Sequence, residues 1–399
     1  MGPVNIRAHG PAPTRPSRGV SREVSSIASL CHDRDGACAA GRPWRIRFTQ
    51  RVARGSTPDP GGRDVSTGAS AAPGTPSWYD LVREDVVDPD LPIIDPHHHL
   101  WPDGEGMHYG IADLRRDAHD GHLVEQTVFV ECRAAYRADG DPELAPVGET
   151  EFVAAEAEHD PDQLIAGIVA HADLRSDRLD EVLDAHVAAG RGRFRGIRHA
   201  LSCAMHPETL KIPGRAPKDL HLDPAFRRGV ARLGERGLTY DTWHYHHQNR
   251  DFLELARAVP GTTMVLDHFG TPLGVGPFAG RRDEIFESWA ADIAEIARCE
   301  HVVAKLGGLA MPDNGFGWHA AERPATSDEV VAAQSRYYLH TIECFGPERC
   351  MFESNFPVDR LSLGARTVWN AFKKMTAGFD PAERAQMFAG TARRVYRLG

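Results

Sequence analysis

Eight short apolar runs separated by stretches of helical periodicity, all after residue 78, restrict the fold of this chain more than any other feature. The runs cover residues 91–95, 127–132, 164–170, 194–199, 238–243, 263–268, 301–306 and 350–354. The helical stretches include residues 177–189, 224–236, 283–298, 326–345, 361–376 and 381–398. Apolar strands that alternate with helices are typical of a parallel sheet covered by helices. Eight such units predict an α/β fold, a (β/α)8 TIM barrel, over residues 76–399.

An open, doubly wound sheet is the alternative with the same order of elements. In that fold the first strand leads into a glycine-rich turn that binds phosphate. Here the first run leads instead into Pro96 and three histidines. The sequence therefore favours the barrel.

The first 75 residues have a different composition from the rest of the chain. Glycine and proline make up 24% of residues 1–75 but 15% of the remainder, and no apolar period persists there. We expect a disordered N-terminal extension. Its arginine bias resembles that of a transit peptide but lacks a persistent amphipathic helix. A start codon assigned too far upstream is a third explanation.

Charge and cysteine content exclude several classes of protein. Residues 1–75 carry a net charge of +6 and the remainder −16, so the folded part lacks the cationic surface that nucleic-acid binding requires. No apolar run approaches the roughly 18 residues that span a bilayer, which predicts no membrane insertion. The seven cysteines form no CxxC motif, so we expect neither a disulfide framework nor a cysteine zinc site. A reducing, cytoplasmic location is the expectation.

Two histidines follow the first apolar run. In an extended chain His97 and His99 point to the same side, so their imidazoles can converge on one metal ion or one carbonyl oxygen. An isolated pair of this spacing is more often part of a solvated loop. Its position at the end of an apolar first strand favours a functional site, because chemistry in a barrel gathers where the strands end.

Ionisable or polar residues also follow most of the other runs. They are Glu131, Arg198, His244, His268, Lys305, Glu353 and Asn355. Glu131 either pairs with Arg133 or Arg198 or serves the site. The guanidinium of Arg198 either binds a substrate carboxylate or neutralises Glu131. Lys305 follows buried valines, so it either pairs with an acid or binds an anionic ligand. His244 is selected as a substrate-binding residue by strand parity alone.

Four motifs at the strand ends occur together. They are Asp-Pro-His-His-His-Leu-Trp at 95–101, Asp-His-Phe-Gly at 267–270, Lys-Leu-Gly-Gly-Leu at 305–309 and Ser-Asn-Phe-Pro at 354–357. In this combination and order the chain, over residues 90–399, resembles the amidohydrolase superfamily. The resemblance is to the branch that contains sugar-acid lactonases, dicarboxylate-lactone hydrolases and related decarboxylases.

The resemblance implies roles for individual residues. His97, His99 and His268 would hold one divalent cation, with zinc expected, or would polarise the scissile carbonyl directly in a metal-free enzyme. Arg198 falls near a position that contacts substrate carboxylates in lactonases of this kind.

The eighth strand departs from the family pattern. The family ordinarily ends this strand with Gly-Ser-Asp, whose aspartate activates water, whereas this chain has Glu353, Ser354 and Asn355. An amide has no useful basicity, so Asn355 cannot be a general base. Our hypothesis is that Glu353, about 6.6 Å away along the strand, supplies the carboxylate. Alternatively Asn355 orients substrate while Glu131 or Asp267 is the base, or hydrolysis has been lost.

These observations predict a hydrolase of a small, anionic cyclic ester. Water deprotonated by a carboxylate would attack a carbonyl held by the three imidazoles, while Arg198 and Lys305 fix a substrate carboxylate and offset the developing oxyanion. Loss of the usual aspartate removes one metal ligand, which favours weak or no metal dependence.

Two other functions remain open at this point. One is a metal-dependent decarboxylase of an aromatic or unsaturated acid on the same fold, and the other is a non-catalytic barrel that binds a small ligand. Substrate selectivity is expected to lie in the long loops at 103–120, 202–221 and 311–324. A homodimer is left open, since barrels of this kind often pair.

Overall fold

The computed structural model describes residues 72–399, and in this part of the chain eight parallel strands form one sheet in chain order. The strands are β1 (Ile93–His98), β2 (Val124–Val130), β3 (Ile165–Ala170), β4 (Phe194–Arg198), β5 (Thr239–Thr242), β6 (Met264–Leu266), β7 (Val302–Leu306) and β8 (Cys350–Phe352). A parallel bridge between His98 and Phe356 joins β1 to the segment after β8. The sheet therefore closes, which confirms the predicted barrel and excludes the open sheet.

Helices alternate with the strands and surround them. They are α1 (Pro76–Tyr79), α2 (Ile111–Ala118), α3 (Val147–His159), α4 (Leu179–Ala189), α5 (Pro224–Glu235), α6 (Asn249–Ala258), α7 (Arg282–Ile296), α8 (Ser327–Phe345), α9 (Ala365–Met375), α10 (Pro381–Ala385) and α11 (Thr391–Val395). Side-chain capping explains where two of the helices begin. The Asp223 side chain accepts a hydrogen bond from the amide of Ala225 at the start of α5. Thr326 forms a capping box with Glu329 at the start of α8.

One predicted helix is broken in the structure. The sequence predicts a continuous helix over residues 381–398, but a wider π turn, Gln386–Gly390, separates α10 from α11. The turn buries Met387 and Phe388 completely against the barrel. Tertiary packing thus overrides the local helical period.

The described chain begins just before the barrel. The predicted N-terminal extension comprises residues 1–75, and its residues 1–71 lie outside the described part of the chain. Trp78 in α1 is fully buried, and its indole nitrogen donates to the carbonyl of Ala321 at 3.1 Å. Between residues 72 and 399, none of the helices combines the length and apolarity needed to cross a bilayer.

The interior of the barrel is filled from two sources. Alternate strand residues point inward, as the two-residue period requires. These are Ile94, Val128, Val130, Val169, Val265, Val303 and Met351, and they pack with Ala389, Ala392, Val395, Tyr396 and Leu398 from the end of the chain. Thr391 donates to the carbonyl of Glu348 at 3.1 Å, just before β8 begins. The C-terminal segment therefore covers the amino end of the barrel, opposite the loops that follow the strands.

Shortening a buried side chain of the C-terminal segment should destabilise the barrel. Leu398 is 5% exposed, so Leu398→Ala is expected to lower the free energy of unfolding by about 2–4 kcal/mol. The matched control is Leu339→Ala, at a side chain 39% exposed, which should change it by about 0.5 kcal/mol or less. Urea unfolding measures both. Equal effects of the two substitutions would show that the segment does not cover the core.

Candidate active site

Three imidazoles meet at the carboxyl ends of β1 and β6. The ring centroid of His97 lies 4.9 Å from that of His99 and 4.5 Å from that of His268. His98 points the other way, and its Nε2 lies 2.9 Å from the hydroxyl of Thr127. The alternation predicted for the first strand therefore holds, and the structure brings its two histidines to the histidine that follows the sixth strand.

A left-handed turn carries His268 into the cluster. His268 and Phe269 have φ angles of 53° and 56°, a region that residues with a Cβ rarely adopt. The indole nitrogen of Trp289 holds the turn by donating to the carbonyl of Phe269 at 2.7 Å. Opposite the ring lies Gly308, where a Cβ would come within 2.3 Å of the Nδ1 of His268. The second glycine of the seventh-strand motif is therefore needed for the imidazole to fit.

The carboxyl group of Glu353 lies between two of the rings. Its Oε1 is 2.6 Å from the Nδ1 of His268, and its Oε2 is 2.8 Å from the Nδ1 of His97. Glu353 has no exposed surface, and burial raises its pKa to about 8. Burial lowers the pKa of His268 to about 3, so this imidazole is neutral. Glu353 thus lies behind the imidazoles rather than at the barrel mouth.

Lys305 lies at the centre of the cluster, with no exposed surface. Its Nζ is 2.9 Å from the Oδ2 of Asp241, 3.0 Å from the Oδ1 of Asp267 and 3.3 Å from the Nδ1 of His97. Burial alone would lower the pKa of Lys305, but the carboxylates of Asp267 and Asp241 outweigh burial and raise it. Lys305 is therefore a buried ammonium paired with two acids of the protein.

Asp241 and Tyr396 extend this network toward the amino end of the barrel, and neither is among the site residues predicted from the sequence. The Tyr396 hydroxyl donates to the Oδ2 of Asp241 at 2.5 Å, and the Thr239 hydroxyl donates to its Oδ1 at 2.9 Å. A carboxylate within an apolar strand is a signal for Asp241 that the sequence contained. Tyr396 gives no such signal, because its place depends on how the C-terminal segment docks.

Arg198 and Glu131 form an ion pair at the rim of the cluster. The Nε of Arg198 lies 2.9 Å from the Oε1 of Glu131, and its Nη2 donates to the Glu131 carbonyl. The Nη1 lies 3.4 Å from the Nε2 of His97 and 3.6 Å from the Oδ2 of Asp267. The two side chains therefore pair with each other and still border the imidazoles.

Two predicted site residues do not join the cluster. His244 follows the end of β5, so strand parity does not apply to it. It is fully buried, with its Nε2 3.0 Å from the Oδ1 of Asn249 and its ring packed on Phe252. Asn355 lies beyond the end of β8 with a φ of 53°, and its amide donates to Asp359 at 2.9 Å. Strand alternation therefore does not describe these two positions, and the structure does not bring their side chains to the three imidazoles.

The hydrogen-bond partners assign the tautomer of His99. The Nδ1 of His99 lies 2.8 Å from the carbonyl of Val130, and a carbonyl only accepts, so this nitrogen carries the hydrogen. Burial holds the pKa of His99 well below its usual value, so its Nε2 keeps a lone pair. The Nε2 of His97 lies 3.3 Å from the Nε2 of His99 and 3.4 Å from the Nη1 of Arg198. The Nδ1 of His97 lies 2.8 Å from the Oε2 of Glu353 and 3.3 Å from the Nζ of Lys305.

The fold and the site together define a class of protein. A closed (β/α)8 barrel carries imidazoles, carboxylates and two cations at the carboxyl ends of its strands, where enzymes of this fold bind and convert their substrates. The amidohydrolase family model matches residues 94–398. The chain belongs to the amidohydrolase family and is an enzyme of the amidohydrolase type.

The matches between this chain and individual relatives extend over nearly the whole length of those relatives. The uncharacterized protein y4mH of Sinorhizobium fredii is 32% identical in an alignment 330 positions long that covers 77% of this chain and 99% of the relative. The L-fucono-1,5-lactonase of Burkholderia multivorans is 29% identical in an alignment 315 positions long that covers 76% of this chain and 96% of the relative. A crystal structure of an amidohydrolase from Burkholderia multivorans with bound zinc superposes with a TM-score of 0.60 at 27% identity, covering 77% and 99%.

Three side chains of the cluster are of the types that bind such a metal ion. Among residues 72–399, ligand atoms of His97, Asp267 and His268 lie within 4.8 Å of one another, and these residue types suit zinc. A ligand must also offer a free lone pair and lack a competing cation. The Nζ of Lys305 lies 3.3 Å from the Nδ1 of His97 and 3.0 Å from the Oδ1 of Asp267, so a cation of the protein already occupies this position. The ligand types therefore match a divalent cation, but the arrangement of the side chains does not fit one.

Replacing Gly308 should disturb His268 directly. Gly308→Ala adds a methyl group 2.3 Å from the Nδ1 of His268 at a φ of 73°. Gly317, at a φ of 76° and with nothing within 4 Å of its Cβ position, gives a matched control. Both substitutions should cost about 1 kcal/mol for the backbone. Gly308→Ala should cost about 1–3 kcal/mol more for the clash. Urea unfolding compares the two variants, and equal losses would contradict the packing described here.

Proposed function

We propose that this enzyme hydrolyses a small lactone by attack of water on the ring carbonyl. The observation that carries the proposal is the contact of 2.6 Å between the Nδ1 of His268 and the Oε1 of Glu353. A carboxylate that holds one nitrogen of a neutral imidazole leaves the other free to take a proton from a nucleophile. The 29% identity to an L-fucono-1,5-lactonase supports a lactone as the class of substrate.

His268 is the general base in this mechanism, and Glu353 orients it. His268 is 3% exposed whereas Glu353 is fully buried, so water reaches the imidazole and not the carboxylate. The Nε2 of His268 takes a proton from water as the oxygen attacks the carbonyl carbon. The negative charge of Glu353 stabilises the imidazolium that forms. The carboxylate of the eighth strand therefore acts through the imidazole.

Arg198 is the group that faces the developing negative charge. It is 7% exposed, so it lies at the rim of the cluster, and its Nη1 borders the Nε2 of His97. Guanidinium hydrogens not engaged by Glu131 stabilise the oxyanion. When the tetrahedral intermediate collapses, the bond from the carbonyl carbon to the ring oxygen breaks. The imidazolium returns its proton to that oxygen, which yields the open-chain hydroxy acid.

The charges of the site favour an uncharged lactone over the anionic one that the sequence suggested. Arg198 is paired with Glu131, and Lys305 is paired with Asp241 and Asp267. Each cation is therefore neutralised by the protein itself. A substrate carboxylate would have to displace one of these partners.

A panel of lactones with a pH indicator tests the function. Uncharged aldonolactones should release acid at a rate well above the uncatalysed one, and lactones carrying a carboxylate should react at least about tenfold more slowly, judged by kcat/KM. Acid release from none of the panel would contradict the proposed reaction. Faster release from carboxylated lactones would contradict the argument from charge.

Substituting Glu353 tests its role behind His268. Glu353→Gln keeps the shape of the side chain but removes its charge, so kcat should fall by about 10²–10⁴ while the far-UV circular dichroism is unchanged. The carboxylate is the active form, so in the wild type kcat should rise as the pH increases through about 8. The variant should lose this rise.

Glu149→Gln is the matched control for that experiment. Glu149 is also buried, and burial likewise raises its pKa to about 8. It accepts from the amides of Cys132 and Ala134, which a glutamine oxygen can still do. Turnover of this variant should stay within about twofold of the wild type. Normal turnover of Glu353→Gln would refute the assigned role.

A further inference from the structure

We propose that the ammonium group of Lys305 is the built-in cation of this site and takes the place of a divalent metal ion among His97, Asp267 and His268. The enzyme then holds no stoichiometric metal at this position. The proposal concerns the same site as the lactone hydrolysis, but it does not depend on any substrate.

The distances leave no room for both cations. The Nδ1 of His97 and the Oδ1 of Asp267 are 3.8 Å apart, and the Nζ of Lys305 lies 3.3 Å from the first and 3.0 Å from the second. Zinc binds such nitrogen and oxygen ligands at about 2.0–2.2 Å. An ion bound by both atoms would therefore lie no farther than about 3.4 Å from the Nζ of Lys305. Two like charges at that separation in a buried site repel strongly.

Both nitrogens of His97 also lie beside a cation of the protein. The Nδ1 is 3.3 Å from the Nζ of Lys305, and the Nε2 is 3.4 Å from the Nη1 of Arg198. A metal ion bound through either nitrogen would therefore lie near a positive charge that the protein already holds.

The groups facing Lys305 hold it in the charged form. Asp241 on β5 and Asp267 after β6 contact its Nζ directly, and Glu353 after β8 adds a third acid nearby. The ring of Tyr396, from the segment after α11, lies 5.5 Å from the Nζ. These elements provide two direct carboxylate partners and one aromatic face for a single positive charge.

Metal content after equilibration with zinc chloride and gel filtration tests the proposal. The wild type should retain below about 0.1 zinc ion per chain, and so should Lys305→Arg, which keeps the charge. Lys305→Met keeps most of the length of the side chain but removes the charge. It should retain about one zinc ion per chain, a gain of about tenfold or more.

Further variants identify where that zinc binds. In the Lys305→Met background, Asp267→Asn and His268→Ala should each abolish the gain in zinc, because each removes a proposed ligand. Lys305→Met leaves two buried carboxylates without their partner, which destabilises the fold. The double variant Lys305→Met with Asp241→Asn removes one of those charges and should also gain zinc.

Three outcomes would overturn the proposal. They are one zinc ion per chain in the wild type, no gain in either charge-removing variant, and a gain that survives loss of Asp267 and His268. The measurement requires no substrate. A failure of the lactone assay therefore leaves this result unaffected, and the reverse also holds.

Discussion

The interaction on which the rest of this structure depends is the ion pairing of Lys305 with Asp241 and Asp267 inside the barrel. A buried ammonium is costly unless carboxylates face it, and buried carboxylates are costly without a cation. Each strand that supplies one of these groups is therefore fixed relative to the others. The arrangement ties β5, β6 and β7 to His97 of β1 at the point where the chemistry is expected.

The site consists of two layers as a result. The inner layer has no exposed surface and holds Lys305, Asp267, Glu353 and His97. The outer layer has a few per cent of exposed surface and holds His99, His268, Arg198 and Glu131. In the proposed mechanism the inner layer fixes the charges around the site, and the outer layer contacts the substrate. The C-terminal residues belong to the same network, since the Tyr396 hydroxyl reaches Asp241 from the covered end of the barrel.

The sequence predicted what depends on local pattern. Eight apolar runs sufficed for the barrel, and strand alternation sufficed to bring His97 and His99 together. Alternation failed beyond the strand ends, because His244 follows a finished strand and Asn355 adopts a left-handed backbone conformation. The contacts of Tyr396 and the pairing of Lys305 were beyond reach for another reason: they join residues 155 and 64 positions from Asp241. Only the closed fold determines such pairs.

The charge of Lys305 tests the account most directly, and the chain makes it measurable because it contains only five lysines. Lysine labelled with ¹⁵N at the side chain gives few resonances, and Lys305→Arg identifies the one that belongs to Lys305. The account predicts an ammonium resonance in slow exchange with water that persists to about pH 10. A neutral amine resonance at neutral pH would contradict the account, because the two carboxylates and His97 would then lack their cation.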